Sequence, residues 1–175
     1  MFESAVSIAN GFTFPYVGMR RRANGEVFST VAAFVVLNED GWILTSGHII
    51  DEIVACDRHK ERLAADRDEA DRDTLVSDHS EIWALPGFEH ARPRLTYAKV
   101  NRAADIAVGR LEPFDPTVLG SHPVLRDTLK DPLGQGSSVC LVGFPFHKVA
   151  GVFSEADGRF DVASSAFPVP RFAID

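Results

Sequence analysis

The sequence predicts an all-β protein, an antiparallel barrel or sandwich with one helical insertion. Three observations predict it. Asn24-Gly25 stands between two extended stretches, a strong short-range signal for a hairpin because both residues tolerate the positive φ that tight turns need. Val31–Leu37 (VAAFVVL) is β-branched, apolar and too short for a typical helix. Short extended runs then return at Glu81–Leu85, Arg94–Val100, Ile106–Leu111 and Ser138–Gly143, with turn residues between them.

In chain order, Arg20–Phe28 reads as the first hairpin. Val31–Leu37 meets the turn cluster Asn38-Glu39-Asp40-Gly41 and resumes as Trp42-Ile43-Leu44-Thr45, a second hairpin so apolar that both faces are expected to be covered. After Thr45 the period changes. Ile49, Ile53 and Cys56 fall at i, i+4 and i+7 and line one face of a helix. The stretch from Asp57 to Asp73 carries opposite charges four residues apart (Arg62/Asp66, Arg67/Asp71, Asp68/Arg72), the pattern of a solvated helical face. Its Asp66/Asp68 and Asp71/Asp73 pairs lack the central glycine and late glutamate of a calcium loop.

Glu112-Pro113-Phe114-Asp115-Pro116 breaks the strand pattern with two prolines and divides the chain. The expected organisation is a first β-unit over 1–113, with the helical excursion at about 49–80, and over 114–175 a linker followed by a second, incomplete β-unit. The Asp157-Gly158 turn and the proline-rich 167–170 lie in that second part. Its strands are too few to close a barrel.

Composition narrows the function. The chain has 175 residues, close to one domain at roughly 150 residues each. Eighteen basic against twenty-five acidic residues give a net charge of −7, which disfavours a coat for nucleic acid or anionic membrane. No apolar run approaches the roughly 18–20 residues of a membrane span. Met1–Tyr16 has no basic residue and no continuous apolar stretch, unlike a signal peptide, and only two cysteines occur. A reducing, cytoplasmic setting is the expectation.

The residues that could carry chemistry are His48 and Asp105. His48 opens the helix immediately after Thr45-Ser46-Gly47, at a strand-to-helix corner. Asp105 stands at the head of the apolar strand Ile106–Leu111, where a buried carboxylate needs a donor. An imidazole is a suitable one, and an Asp–His pair is a general base with its tautomer fixed. Cys56 and Cys140 read as packed small hydrophobes. His59, His79, His90, His122 and His147 lack the spacing of a zinc site, and no Gly-rich phosphate loop is present, so neither metal nor cofactor is expected. Arg20-Arg21-Arg22 reads as a solvated run or one that protects a sheet edge.

The segment from Phe34 to Ile50 (FVVLNEDGWILTSGHII) resembles the trypsin-like serine proteases, most of all their bacterial high-temperature-requirement branch. There such a hairpin ends in threonine, small residues and the catalytic histidine. Asp105-Ile106-Ala107-Val108 matches the family's aspartate motif, and Gly136–Pro145 (GSSVCLVGFP) is similar to a strand of its second barrel. The three matches keep the family's order over residues 26–146. The resemblance implies two six-stranded antiparallel barrels with a cleft between them. His48 is then the general base and Asp105 its orienting carboxylate, and the function is serine endopeptidase action on a protein or peptide.

The family's nucleophile sits in a Gly-x-Ser-Gly-Gly segment, and this sequence has none. Ser137 and Ser138 align with the opening of the second-barrel strand, and Ser164 and Ser165 lack flanking glycines, so all four read as structural. The expectation is therefore a first barrel plus the beginning of a second, with the serine beyond this chain and, besides substrate, the missing C-terminal segment or a second copy as partner. The alternative is a catalytically inactive module of the same fold that binds extended peptides at open strand edges.

Overall fold

A computed structural model of the chain describes residues 2–65, 72–87, 90–127, 129–130, 132, 134, 140–144, 149–162 and 171–174. It is mostly antiparallel β-structure, with two α-helices among the described residues. Helix α1 (Phe2–Asn10) leads into β1 (Thr13–Arg22) and β2 (Val27–Val36), joined across Asn24-Gly25 with Gly25 at φ +89°. Strand β3 (Trp42–Ser46) follows the turn at Gly41, where φ is +78° and a Cβ would sit 2.7 Å from the Leu111 carbonyl oxygen, so glycine is required. Helix α2 (Gly47–Ala64) then precedes β4 (Val76–Trp83), β5 (Arg94–Asn101) and β6 (Ile106–Glu112).

These six strands form one sheet in the order β4–β1–β2–β3–β6–β5, which curls into a half-barrel. Alternation along β1 sorts its side chains between two cores. Phe14 and Tyr16 face the concave side with Phe34, Val36, Ile43, Trp83, Ala107 and Leu111. Ile49, Ile50 and Ile53 of α2 pack into the same cluster, which fixes the helix on the sheet. Val17 and Met19 face the convex side with Ile82 and Ala84, and are covered there by Val149, Phe160 and Val162.

The strands of the second part are short. β7 (Cys140–Gly143) pairs with β10 (Arg171–Ile174), and β8 (Val152–Ser154) with β9 (Arg159–Asp161) around Gly158. Arg21 of β1 reaches this part through Glu155 and the Phe153 ring. Ser137, Ser138 and the charge pairs through Asp66, Arg67, Asp68 and Asp71 lie outside the described residues.

Several expectations change. Strand β4 starts at Val76 rather than Glu81, so the excursion after His48 ends earlier. Its polar residues His79 and Glu81 alternate with Ser80 and Ile82, and this masks the strand in a hydrophobicity reading. The second hairpin is fully buried on one face only: Phe34 and Val36 are buried, while Ala33 and Val35 are half-exposed. Arg20, Arg21 and Arg22 protect no edge, because β1 is flanked by β2 and β4. Arg20 pairs with Glu52, Arg21 with Glu155 and Asp78, and Arg22 with Glu26.

The implied six-stranded barrel stays open among the described residues, with β4 and β5 as its unpaired ends. A cavity of about 410 Å³ occupies this seam, between His79, Glu81 and Trp83 on one side and Arg92, Arg94 and Leu95 on the other. Two arginines around Pro93 give the β5 edge the charge and the missing donor that discourage pairing. The linker is not free either: Phe114 packs against the concave core.

Phe34 is fully buried and lies edge-on to Trp83 at 5.2 Å. Phe34→Ala should lower unfolding free energy by about 3–5 kcal/mol, read from denaturant melts. A loss below about 1 kcal/mol would mean that the concave face is not the main core.

Candidate functional site

The site begins with a helix end that needs a partner. The first N–H groups of α2 have no intrahelical acceptor, and Ser46 in the N-cap position makes no side-chain capping bond. Asp105, 57 positions beyond His48 in sequence, supplies acceptors for the first two of them. Its backbone carbonyl accepts from Gly47 N–H at 3.0 Å, and its Oδ1 accepts from His48 N–H at 2.8 Å. No acidic residue lies in the first turn of α2 itself, so this carboxylate is also the negative charge that the positive helix end favours.

The second carboxylate oxygen meets the imidazole. His48 Nδ1 lies 2.8 Å from Asp105 Oδ2. With Asp105 ionised, Nδ1 carries the proton and donates it, which leaves the lone pair on Nε2. No described residue bonds Nε2, and the His48 side chain is 64% exposed. The pair is thus a histidine held in one tautomer and one orientation, with its basic nitrogen facing outward. That arrangement can accept a proton from a neighbouring hydroxyl or water and pass it on.

Two features of Asp105 were not foreseen. The reading of a buried carboxylate is corrected: its side chain is 56% exposed, because it sits in the turn before β6 rather than within the apolar run. Its backbone is left-handed, with φ +50°. An aspartate tolerates that conformation better than most side chains, and here it turns both the carbonyl and the carboxylate toward α2. Gly47, which in the sequence counts only as a harmless departure from the family's small residues before the histidine, is a third component of the site. A Cβ at this position would lie 2.9 Å from Val100 Cγ1 and 3.2 Å from Asp105 Oδ1, so any larger residue presses on the carboxylate. The signal was present as a glycine directly before the histidine.

The other candidates separate from this pair. Cys56 is buried in α2, where burial raises its thiol pKa and keeps the sulfur protonated. His79 lies on β4 beside Asp57 and Glu81, and desolvation lowers its pKa. His59 Nδ1 accepts from Val76 N–H at 3.4 Å. Among the described residues no group of three or more His, Cys, Asp or Glu is arranged to hold a metal ion. None of their helices is long and apolar enough to cross a membrane. Ser137, Ser138, Ser164, Ser165 and His147 lie outside the described residues, as does the Cys140 side chain.

No family model matches the chain, and no curated protein matches it.

The hydrogen bond from the His48 ring, and after it the one from the His48 N–H, holds the Asp105 carboxyl below the usual carboxylate range. A depressed folded-state pKa contributes stability above the unfolded pKa and loses it as pH falls through the folded value. His48→Ala removes the ring and leaves the backbone donor, so Asp105 should titrate part of the way back toward an ordinary aspartate. A pH series of its ¹³C carboxyl signal checks this, and an unchanged titration would mean the ring does not hold the carboxylate.

Proposed function

We propose that this chain carries the histidine and aspartate of a trypsin-like serine endopeptidase acting on protein or peptide substrates. The observation that carries the reading is the two-point hold of Asp105 on His48, Oδ2 to the ring and Oδ1 to the backbone N–H. A carboxylate that fixes the Nδ1–H tautomer and leaves Nε2 open is what a general base for a hydroxyl nucleophile requires.

In this role His48 Nε2 takes the proton from a serine hydroxyl as its oxygen attacks the scissile carbonyl. The resulting imidazolium then gives that proton to the departing amine, and the peptide C–N bond breaks. Asp105 keeps the ring oriented and stabilises its positive charge without taking the proton. The six-stranded half-barrel is the first lobe of a two-lobed fold in this reading, with residues 114–175 as part of the second.

The sequence holds no Gly-x-Ser-Gly-Gly segment, so in this reading the serine and its oxyanion hole lie on a further segment outside these 175 residues. The absent segment is also what the second reading expects: a non-catalytic module that binds extended peptides along a strand edge such as that of β4, which is unpaired among the described residues.

Two measurements separate the readings. The 175-residue chain alone should take no fluorophosphonate label, and labelling at Ser137, Ser138, Ser164 or Ser165 would show that a nucleophile lies within it. Protein expressed from the full reading frame should hydrolyse casein, and Asp105→Asn should lower kcat by about 10⁴-fold. Peptide binding without cleavage, or cleavage that survives His48→Ala, would overturn the protease reading.

A further inference from the structure

The turn that carries Asp105 has little to hold it. Arg102, Ala103, Ala104 and Asp105 are all exposed, and their internal bonds are long: Asp105 N–H to the Arg102 carbonyl at 3.4 Å and Ala104 N–H to Asn101 Oδ1 at 3.3 Å. Asp105 also holds a left-handed backbone, which persists only where its surroundings fix it. Yet the site depends on this turn presenting a carbonyl and two carboxylate oxygens to α2 at once.

One further connection runs from the turn to the helix. The Arg102 guanidinium donates from Nε to Asp51 Oδ2 at 3.1 Å and from Nη2 to Asp51 Oδ1 at 2.7 Å. Two parallel charge-assisted bonds fix direction as well as distance, a geometry that the planar guanidinium provides and a lysine does not. Position completes the observation. Asp51 lies three residues after His48 on α2, so the two side chains share one helix face. Arg102 lies three residues before Asp105 in the turn. The helix and the turn are therefore joined by two rungs side by side, His48 to Asp105 and Asp51 to Arg102, with a carboxylate at alternate ends.

We infer that Arg102 and Asp51 are positioning residues for the His48–Asp105 pair: their two-bond rung sets the turn at the height where Asp105 reaches the Gly47 and His48 N–H groups and the imidazole. The catalytic meaning of this rests on the endopeptidase reading, whereas the positioning itself does not. Neither residue touches substrate or the reacting atoms in that scheme.

Arg102→Gln and Asp51→Asn break the rung from its two ends at an exposed place where the fold should survive. Each variant should speed amide exchange at Gly47 and His48 by about three- to fivefold, the loss an exposed ion pair supports. The double variant should be no worse than either single one, because both changes remove the same connection. The Asp105 carboxyl titration distinguishes positioning from simple charge. Loss of a cation and loss of an anion would move that titration in opposite directions, but a loosened turn moves it upward in both variants.

Unchanged exchange at Gly47 and His48 in both variants would overturn the inference. So would additive effects in the double variant, or opposite shifts of Asp105. None of these readouts needs turnover. A rung that behaves as expected while protein from the full reading frame shows no protease activity would retire the endopeptidase reading and leave the positioning role standing, and the converse result would do the reverse.

Discussion

Asp105 is where the half-barrel and its helix are joined. One residue at the start of β6 ends a turn, caps α2 through its carbonyl and Oδ1, and holds the His48 ring through Oδ2. The helix cannot supply these acceptors itself, because Ser46 makes no side-chain cap and its first turn has no acid. The same bonds that satisfy the helix end also orient the imidazole. Orientation of the ring is therefore not separate from folding of the corner. Ile49, Ile50 and Ile53 begin one residue past His48 and lock the helix into the concave core, so the exposed pair stands on a buried base.

The two ends of the half-barrel differ in electrostatic character. At the dyad the groups are exposed and the carboxylate stays ionised. At the seam between β4 and β5 the polar groups are half-buried and burial favours their neutral forms. Desolvation raises Glu81 and lowers His79 there, and on β1 it pushes the buried Tyr16 hydroxyl far above its usual range. Glu81 keeps one donor in Trp83 Nε1–H at 3.3 Å. A buried thiol that stays protonated, as at Cys56, offers no competing nucleophile.

Much of this was legible in the sequence, for identifiable reasons. Asn24-Gly25 marks the first hairpin because its glycine supplies the positive φ, +89°, that the turn needs. Ile49, Ile53 and Cys56 mark the buried face of α2 because the helix period is regular. His48 and Asp105 pair in the sequence less on a carboxylate's need for a donor than on the family resemblance of the two segments that carry them, and they do meet, though on the surface rather than in the core. What stayed hidden depends on the three-dimensional neighbour. Nothing local says that β1 is a central strand, so its three arginines looked like an edge. Strand β4 turns His79 and Glu81 toward the barrel interior, and a polar interior reads as no strand at all. The Arg102–Asp51 rung spans 51 positions and shows as two ordinary surface charges until the turn and the helix are brought together.

The tautomer of His48 tests the central claim most directly. A long-range ¹H–¹⁵N spectrum of the neutral imidazole distinguishes Nδ1–H from Nε2–H. Asp105 Oδ2 at 2.8 Å from Nδ1 requires the proton on Nδ1 and a bare Nε2. A dominant Nδ1–H form that Asp105→Ala abolishes is the expected result. An Nε2–H form in the unmodified protein would contradict the hold of Asp105 on the ring, and with it the general-base role proposed for His48.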